Sequence, residues 1–221
     1  MELPDGFVCS RKIKVDVGMS RCPMYSRNWL DHEPDLFVFG FEPNPNAIVE
    51  MKKNNAFGSH WNRVHIFPVA LGNVDEQRTL DFHIIKDWEL SSSLYTPKQS
   101  FLDHYKFEIE KTIQVPVHPL SDFFKLLPED VFIEYIKIDA QGADLDIVKS
   151  GSKDLQDKVA WVTLEGDAWA YENCPDTVEN IHEFMTSIGF VKENHPNTLD
   201  PTYFNPKFAD KKEDIYIFQS N

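Results

Sequence analysis

The sequence predicts an α/β fold, in which a mostly parallel sheet carries helices on its faces and ends in an antiparallel hairpin. Short apolar, β-branched runs alternate with helical patterns through much of the chain. Two late apolar runs, 190–191 and 215–218, are joined without a helix, as in an antiparallel pair. The 221 residues, 42% of them hydrophobic, suffice for one sizeable core. We therefore expect a single domain, 1–221.

The individual elements are justified by local signals. The predicted strands of the sheet lie at residues 12–17, 35–41, 63–70, 133–139 and 159–165. Asn44 followed by Pro45 is a good N-cap and first residue for a helix after the second strand. Asp176 with Glu179 resembles a capping box and predicts a later helix. Two further strand-like runs interrupt the alternation, which predicts an insertion around 78–118.

A pattern around the first two predicted strands points to a ligand. The first strand ends in Asp16 and Gly18, and the second ends in Glu42. A glycine at such a turn lets the backbone approach a ligand, and a carboxylate about 20 residues further on accepts hydrogen bonds from ribose hydroxyls. The simpler alternatives are that Asp16 caps the following turn and that Glu42 is a solvated residue before a helix. The pattern predicts a nucleoside-binding crevice.

Charge and composition exclude several partners. The net charge of −14 argues against nucleic acid and against anionic membrane surfaces. No apolar segment approaches the roughly 18 residues that suggest a membrane span, and no export signal is recognisable. Three widely spaced cysteines suit free thiols in a reducing compartment. We expect a cytoplasmic protein.

Motifs of other enzyme classes are missing from the sequence. The eight histidines form no metal-binding pattern, so we predict no metal site. The Gly-x-Ser-x-Gly of a serine hydrolase and the Gly-x-Gly-x-x-Gly of a dehydrogenase do not occur. The nucleoside-binding crevice is therefore not explained by either class.

The predicted architecture is the Rossmann-like sandwich of class I S-adenosylmethionine (SAM) methyltransferases, with a mostly parallel seven-stranded sheet and a C-terminal antiparallel hairpin. Blocks along the chain resemble the FkbM-type family of these enzymes. They are Asp16-Val17-Gly18, Phe41-Glu42-Pro43-Asn44-Pro45, Val69-Ala70-Leu71-Gly72, Ser92-Ser93-Leu94, the run from Ile136 to Asp144, and Leu164-Glu165. The resemblance implies SAM as cofactor and methyl transfer to a hydroxyl of a small molecule or glycan.

The same resemblance assigns roles to individual residues. The expected cofactor-binding residues are Asp16, Gly18, Ser20, Glu42, Asn44, Ala70, Leu71 and Ser92. Asp139 and Glu165 end two predicted strands and are the expected catalytic carboxylates, because ligands bind at strand carboxyl ends in open α/β sheets. Asp139 could orient the acceptor, act as base or offset the cofactor's positive charge, or could simply be held by backbone amides. Gln141 and Trp169 are the expected acceptor-binding residues.

Two departures from the family pattern leave an alternative open. Where the family continues Ala-Asn-x-Gly after the first motif, this chain has Met19, Ser20, Arg21 and Cys22. Gln141 and Asp144 stand where the family has glutamates. The alternative is a catalytically weak or inactive SAM-binding module with a regulatory or interaction role. The acceptor and the oligomeric state are not encoded in any pattern that we recognise.

Overall fold

The computed structural model describes residues 1–4, 6–7, 12–166, 168–193 and 200–217. Its main sheet has seven strands in the order β3-β2-β1-β7-β8-β10-β9. They are β1 (Lys12–Val17), β2 (Leu36–Phe41), β3 (Val64–Phe67), β7 (Ile133–Ile138), β8 (Val159–Leu164), β9 (Val191–Glu193) and β10 (Thr202–Phe204). Strands β3, β2, β1, β7 and β8 run parallel, whereas β10 runs antiparallel to both β8 and β9. The predicted fold class is confirmed.

Helices cover both faces of the main sheet. The helices are α1 (Met24–His32), α2 (Pro45–Lys53), α3 (Gln99–Tyr105), α4 (Leu120–Leu126), α5 (Asp144–Ser150), α6 (Ser152–Lys158) and α7 (Val178–Ser187). The larger core packs α4 to α7 against one face. Helices α1 and α2 pack with residues 215 and 217 on the other face. In the described part of the chain, no helix is long and apolar enough to cross a membrane.

A second, three-stranded sheet occupies the region of the expected insertion. It has the order β4-β6-β5 and consists of β4 (Ala70–Leu71), β5 (Arg78–Ile85) and β6 (Ile109–His118). The prediction of one strand over 63–70 is wrong, because the chain leaves the main sheet after Phe67 and Ala70 pairs with Val117. Pro68 lies at this break, where its missing N–H would leave a sheet hydrogen bond unmade. The break carries Ala70 and Leu71 from one sheet to the other.

The C-terminal hairpin exists, but with a different second strand. Strand β9 pairs with β10, whereas residues 215–217 form no strand and Phe218 lies outside the described residues. The backbone oxygens of Tyr216 and Ile217 instead accept hydrogen bonds from the side chains of Lys14 and Trp29. The apolar pattern at 215–217 therefore reflects packing over α1. Apolar periodicity marks burial and does not by itself distinguish a strand from a packed loop.

Helix ends confirm one predicted cap and correct another. Asn44 caps α2, and its side chain accepts a hydrogen bond from Asn46 N at 3.0 Å. The cap of α7 is Thr177 and not Asp176. Asp176 instead accepts hydrogen bonds from Asp144 N and Leu145 N, at 2.7 and 3.0 Å, at the start of α5. Its carboxylate thus ties the start of α7 to the start of α5.

Candidate active site

Two adjoining pockets lie at the carboxyl ends of β1, β2 and β7. The inner pocket is lined by residues that include Gly18, Ser20, Glu42, Asn44, Ala70, Leu71, Ser92, Asp139 and Gln141. The outer pocket is lined by residues that include Asp16, Gly18, Ser20, Lys137, Asp139, Gln141, Glu165 and Trp169. Every site residue predicted from the sequence therefore lines one pocket or both. The two pockets share Gly18, Ser20, Leu90, Asp139 and Gln141, so they meet at the ends of β1 and β7, beside the insertion.

The close approach of β1 and β7 requires glycine at position 18. Gly18 has φ +76°, and a Cβ there would lie 1.8 Å from the backbone oxygen of Asp139. Asp139 N in turn donates a hydrogen bond to Val17 O at 3.0 Å. L-residues with side chains rarely adopt this φ, and the contact leaves no space for one. Gly18 therefore lets the backbones that form the junction of the pockets lie against each other.

Glu42 organises the wall of the inner pocket at the end of β2. Its Oε1 accepts a hydrogen bond from Asn44 N and its Oε2 accepts one from Ser20 N, both at 2.7 Å. Ser20 has φ +53°, which turns its N–H toward the carboxylate. Burial raises the pKa of Glu42 to about 7, although the two backbone donors oppose the shift. Each carboxylate oxygen has a second lone pair, so Glu42 can still accept hydrogen bonds from a ligand.

The insertion sheet closes the far side of the inner pocket. Ala70 and Leu71 are buried and contribute an apolar wall with Phe82 and Leu94. Ser92 Oγ accepts a hydrogen bond from Ile85 N at 3.1 Å. This bond fixes the segment Ser92-Ser93-Leu94, here called the serine loop, to β5. This wall can hold a flat apolar ring.

The floor of the outer pocket contains a buried lysine between two aspartates. Lys137 Nζ lies 3.0 Å from Asp139 Oδ2 and 3.8 Å from Asp16 Oδ1. It also lies 5.1 Å from the centroid of the Tyr25 ring. Burial alone would lower the pKa of Lys137, but the negative charges of Asp139 and Asp16 outweigh burial and raise it. Lys137 is therefore a permanent cation facing the outer pocket.

Asp16 is held on its other side by helix α1. Ser26 Oγ donates a hydrogen bond to Asp16 Oδ2 at 2.6 Å, whereas Oδ1 has no hydrogen-bond partner among the described residues. Burial raises the pKa of Asp16 against the opposing effect of Lys137. The turn after β1 is held by the hydrogen bond from Ser20 N to Glu42, and Asp16 contacts the first turn of α1.

Gln141 connects Asp139 to Glu165, which follows the neighbouring strand β8. Gln141 Nε2 donates hydrogen bonds to Asp139 Oδ1 at 2.7 Å and to Glu165 Oε2 at 2.5 Å. Its Oε1 accepts one from the Tyr171 hydroxyl at 2.8 Å. The amide of Gln141 is thus engaged by the protein, and it aligns the two carboxyl groups. Tyr171 is fully buried, and its hydroxyl supports the Gln141 side chain.

The two carboxyl groups differ in protonation. Burial opposes ionisation of Asp139, but the Lys137 charge and hydrogen bonds from Glu165 and Gln141 outweigh it and hold the pKa of Asp139 below its usual range. Burial, followed by the nearby charge of Asp139, raises the pKa of Glu165 to about 10. At neutral pH the pair therefore consists of an ionised Asp139 and a neutral Glu165.

Aromatic side chains form the outer wall of the second pocket. Trp169 is 48% exposed, and its ring centroid lies 5.3 Å from that of Phe101 and 6.0 Å from that of Tyr105. Trp88 and Phe107 stack at 6.2 Å beside them. Large exposed rings that line a pocket provide flat apolar surface for a ligand ring.

The sequence reasoning missed several lining residues. Lys137, Tyr25 and Trp88 line the outer pocket, Glu89 lines the inner pocket and Leu90 lines both. Lys137 had a visible signal, since it is a lysine inside the buried run of β7. Tyr25, Trp88, Glu89 and Leu90 had none, because chain separation hides their approach to the strand ends.

Comparison with known proteins assigns the chain to a class of protein. A family model described as the methyltransferase FkbM domain matches residues 14–192. The 2-O-methyltransferase NoeI of Sinorhizobium fredii (strain NBRC 101917 / NGR234) is 28% identical over 153 residues. This match covers 66% of the present chain and 60% of NoeI, so the chain spans less than two thirds of that relative.

Solved structures of methyltransferases also resemble the chain at low sequence identity. TrmK of M. capricolum, in complex with S-adenosyl-homocysteine, is 8% identical at a TM-score of 0.45, covering 89% of this chain and 63% of TrmK. The N-terminal domain of human METTL16, in complex with the same product, is 12% identical at a TM-score of 0.42, covering 90% and 62%.

The family match assigns the chain to the methyltransferases. The chain belongs to the FkbM methyltransferase family, as the match over residues 14–192 shows. The family uses S-adenosyl-L-methionine, and the inner pocket has the features that this group needs. Gly18 provides close backbone approach, Glu42 offers carboxylate lone pairs, and Glu89 Oε1 is buried with no hydrogen-bond partner among the described residues. The residues present therefore fit the cofactor.

Proposed function

We propose that this chain is an O-methyltransferase that acts, as a single domain of residues 1–221, on a hydroxyl of a small molecule or glycan. The observation that carries the proposal is the meeting of the two pockets at Gly18, Ser20, Asp139 and Gln141. One pocket has the features of an adenosyl site, and the other presents an ionised carboxylate and a lysine. The name of NoeI, a 2-O-methyltransferase, supports oxygen as the attacking atom.

The inner pocket holds the cofactor in this proposal. When bound there, SAM supplies a methyl group on a positively charged sulfonium. Glu42 accepts hydrogen bonds from the ribose, while Ala70 and Leu71 hold the adenine ring on the apolar wall. Ser20 and Asn44 keep the Glu42 carboxylate in place through their backbone N–H groups. Ser92 fixes the serine loop beside that wall.

The outer pocket prepares the acceptor hydroxyl. Asp139 accepts the hydroxyl proton as negative charge develops on the attacking oxygen, and Lys137 stabilises that charge. A carboxylate with a low pKa is a weak base, but it suffices because the proton becomes acidic only as the oxygen attacks. Glu165, neutral at physiological pH, cannot take the proton and instead orients Asp139 through Gln141. The shared enclosure brings hydroxyl and methyl together, and positioning of this kind contributes much of an enzyme's acceleration.

The lining of the outer pocket selects the acceptor. Trp169 and Tyr105 offer flat apolar surface to a ring, as in many sites for sugars and aromatic compounds. Asp16 and Asp139 add negative charge beside the lysine, which disfavours polyanionic acceptors. The net charge of −14 supports the same preference and argues against a nucleic acid acceptor.

The departures at Met19 to Cys22 favour the alternative of a SAM-binding module without efficient transfer. Two contacts weaken this alternative. Met19 is buried, and its side chain fills the space above Gly40, where a Cβ would lie 2.3 Å from Met19 Cε. Ser20 N still reaches Glu42 at 2.7 Å. The altered residues thus pack and hydrogen-bond within the pocket wall, which supports an enzyme with a modified loop.

Calorimetric titration with SAM and with S-adenosylhomocysteine, followed by transfer of labelled methyl to a panel of hydroxyl acceptors, tests the proposal. We expect binding of both nucleosides, methyl ether formation on at least one acceptor, and loss of transfer without loss of binding in Asp139→Asn. Asp154→Asn, which changes an aspartate on α6 paired with Lys158, is the matched control. Binding without transfer to any acceptor would favour the non-catalytic module.

A further inference from the structure

Glu89 is a carboxylate of the inner pocket that the sequence motifs do not assign. It begins the 3-10 turn Glu89–Ser91, which belongs to the insertion and not to the main sheet. Its carboxylate lines the pocket together with Glu42, and the side chain is 13% exposed. The insertion therefore places a second acidic group over a pocket whose first acidic group comes from β2.

The partners of Glu89 leave one oxygen able to bind a ligand. Oε1 has no hydrogen-bond partner among the described residues, and its neighbouring cation is Arg21, whose Nε lies 3.5 Å away. Arg21 also lies 3.7 Å from Glu50 on α2, through NH1 and Oε2. Burial raises the pKa of Glu89, and Arg21 opposes this shift by favouring the ionised form. A buried carboxylate oxygen without a partner needs a hydrogen-bond donor.

The charged surroundings indicate which half of the cofactor Glu89 faces. Its charged neighbours are Arg21, Glu50 and Glu110, and Glu89 is in turn a neighbour of Glu42. Of these groups, Glu50 lies on α2, the helix that follows Glu42 and is capped by Asn44. The methyl-transfer end lies elsewhere, at the junction with the outer pocket, where Asp139 neighbours Lys137 and Glu165. Glu89 thus stands over the adenosine side of the inner pocket.

We propose that Glu89 binds the adenosine half of SAM by accepting a hydrogen bond from one of its O–H or N–H groups, with Arg21 orienting the carboxylate. This assignment rests on the proposed function. It makes the 3-10 turn of the insertion part of the cofactor site and gives Arg21 a positioning role. The cofactor is then held between two carboxylates, Glu42 on the main sheet and Glu89 on the insertion.

Calorimetric titration of Glu89→Ala and Glu50→Ala with SAM, S-adenosylhomocysteine and adenosine tests the proposal. Glu50 is the matched control, because it also pairs with Arg21 but does not line the inner pocket. Loss of a charged hydrogen bond predicts a drop in affinity of about tenfold or more for Glu89→Ala. The drop should be similar for all three ligands, because all contain adenosine. Glu50→Ala should stay within about twofold of the wild type.

Other outcomes would separate this inference from the proposed function. Equal affinities of the two variants would overturn the role of Glu89, and a loss confined to SAM would overturn the adenosine assignment in favour of contact with the sulfonium. A wild-type protein that binds none of the three ligands would overturn the proposed function itself. If Glu89→Ala does not fold, Glu89→Gln keeps the shape, and its affinity should still fall because the charge is lost.

Discussion

At the scale of a single residue, Glu42 experiences two opposing effects on its charge. It is buried between two backbone donors, which stabilise its charge, and it lies among apolar side chains, which destabilise it. Burial dominates, so its pKa of about 7 lies within the physiological range. The protonation state of this carboxylate should therefore control both stability and cofactor binding.

Glu42→Gln should raise thermal stability but weaken cofactor binding at pH values where Glu42 is ionised. Because the folded-state pKa is raised, the contribution of Glu42 to stability is present below its ordinary pKa and is lost as pH rises through about 7. The variant should thus melt at a higher temperature than the wild type at about pH 8, and this difference should vanish near about pH 4. Thermal unfolding without cofactor measures this difference.

Cofactor affinity should increase with pH, whereas the contribution of Glu42 to stability decreases. Wild-type affinity for SAM should increase as Glu42 ionises with rising pH, whereas the affinity of Glu42→Gln should be weaker and nearly independent of pH over the same interval. Calorimetry at several pH values measures this dependence. A wild-type affinity that does not change across this interval would contradict the role of Glu42 as the ribose acceptor.

Lys137 should act on the acceptor side alone. Lys137→Met removes the cation that holds Asp139 ionised, so transfer should fall by about a hundredfold while SAM affinity changes little. The acid limb of the pH profile should move to higher pH, because the pKa of Asp139 is no longer held low. Lys137→Arg keeps the positive charge, so it should retain part of the activity that Lys137→Met loses.

The matched control for Lys137 is Lys14→Met. Lys14 is fully buried in β1, pairs with Glu33 and lines neither pocket. Its substitution should affect thermal stability and leave the pH profile in place. Identical pH profiles for Lys137→Met and the wild type would remove Lys137 from the chemistry.

At the scale of elements, the site depends on contact between the ends of β1 and β7. Gly18→Ala places a methyl group 1.8 Å from Asp139 O at a backbone φ of +76°. We expect a loss of about 2 kcal/mol or more in the free energy of unfolding and a strong loss of SAM affinity. Gly189→Ala is a useful control, because it has φ +88° but no atom within 4 Å of an added Cβ. Denaturant unfolding should show the smaller loss for Gly189→Ala.

The element-scale errors of sequence reasoning have a common cause. Residues 215–217 have a strand-like apolar pattern, yet they pack over α1 because a side chain of β1 and one of α1 supply hydrogen bonds to their backbone. Asp176 stands where a helix cap is expected, yet its carboxylate is used by α5. In both cases a partner distant in sequence satisfies the local group. Local patterns alone cannot identify such partners.

At the scale of the whole molecule, the negative charge should act on the cofactor. SAM carries a net positive charge and S-adenosylhomocysteine carries none, so the field of a protein with charge −14 attracts the first and not the second. Raising the salt concentration from about 0.02 M to about 0.2 M should weaken SAM binding several-fold and leave the product's affinity unchanged. Calorimetry at both salt concentrations measures the difference. Equal salt dependence for the two ligands would mean that local contacts dominate.

The sequence by itself determined the fold class and the family, and it predicted part of the lining of the two pockets. Strands β1, β2, β7 and β8 and the Asn44 cap follow from local signals, as do pocket-lining residues at strand ends such as Asp16, Glu42 and Asp139. They were predictable because strand carboxyl ends of a parallel sheet lie on one edge, so residues that follow strands meet there. Ligand-binding residues carried by the main sheet are thus encoded in sequence order.

Only the tertiary structure decided the ion pairs, hydrogen bonds and protonation states of those residues. The pairing of Lys137 with Asp139 and Asp16, the engagement of Gln141 and the approach of Glu89 to the inner pocket depend on contacts between distant segments. Burial and neighbouring charge set each protonation state, and neither is a local property of the chain. The same reason separates Asp139 from Glu165, two acidic residues at strand ends of which one is ionised and the other neutral.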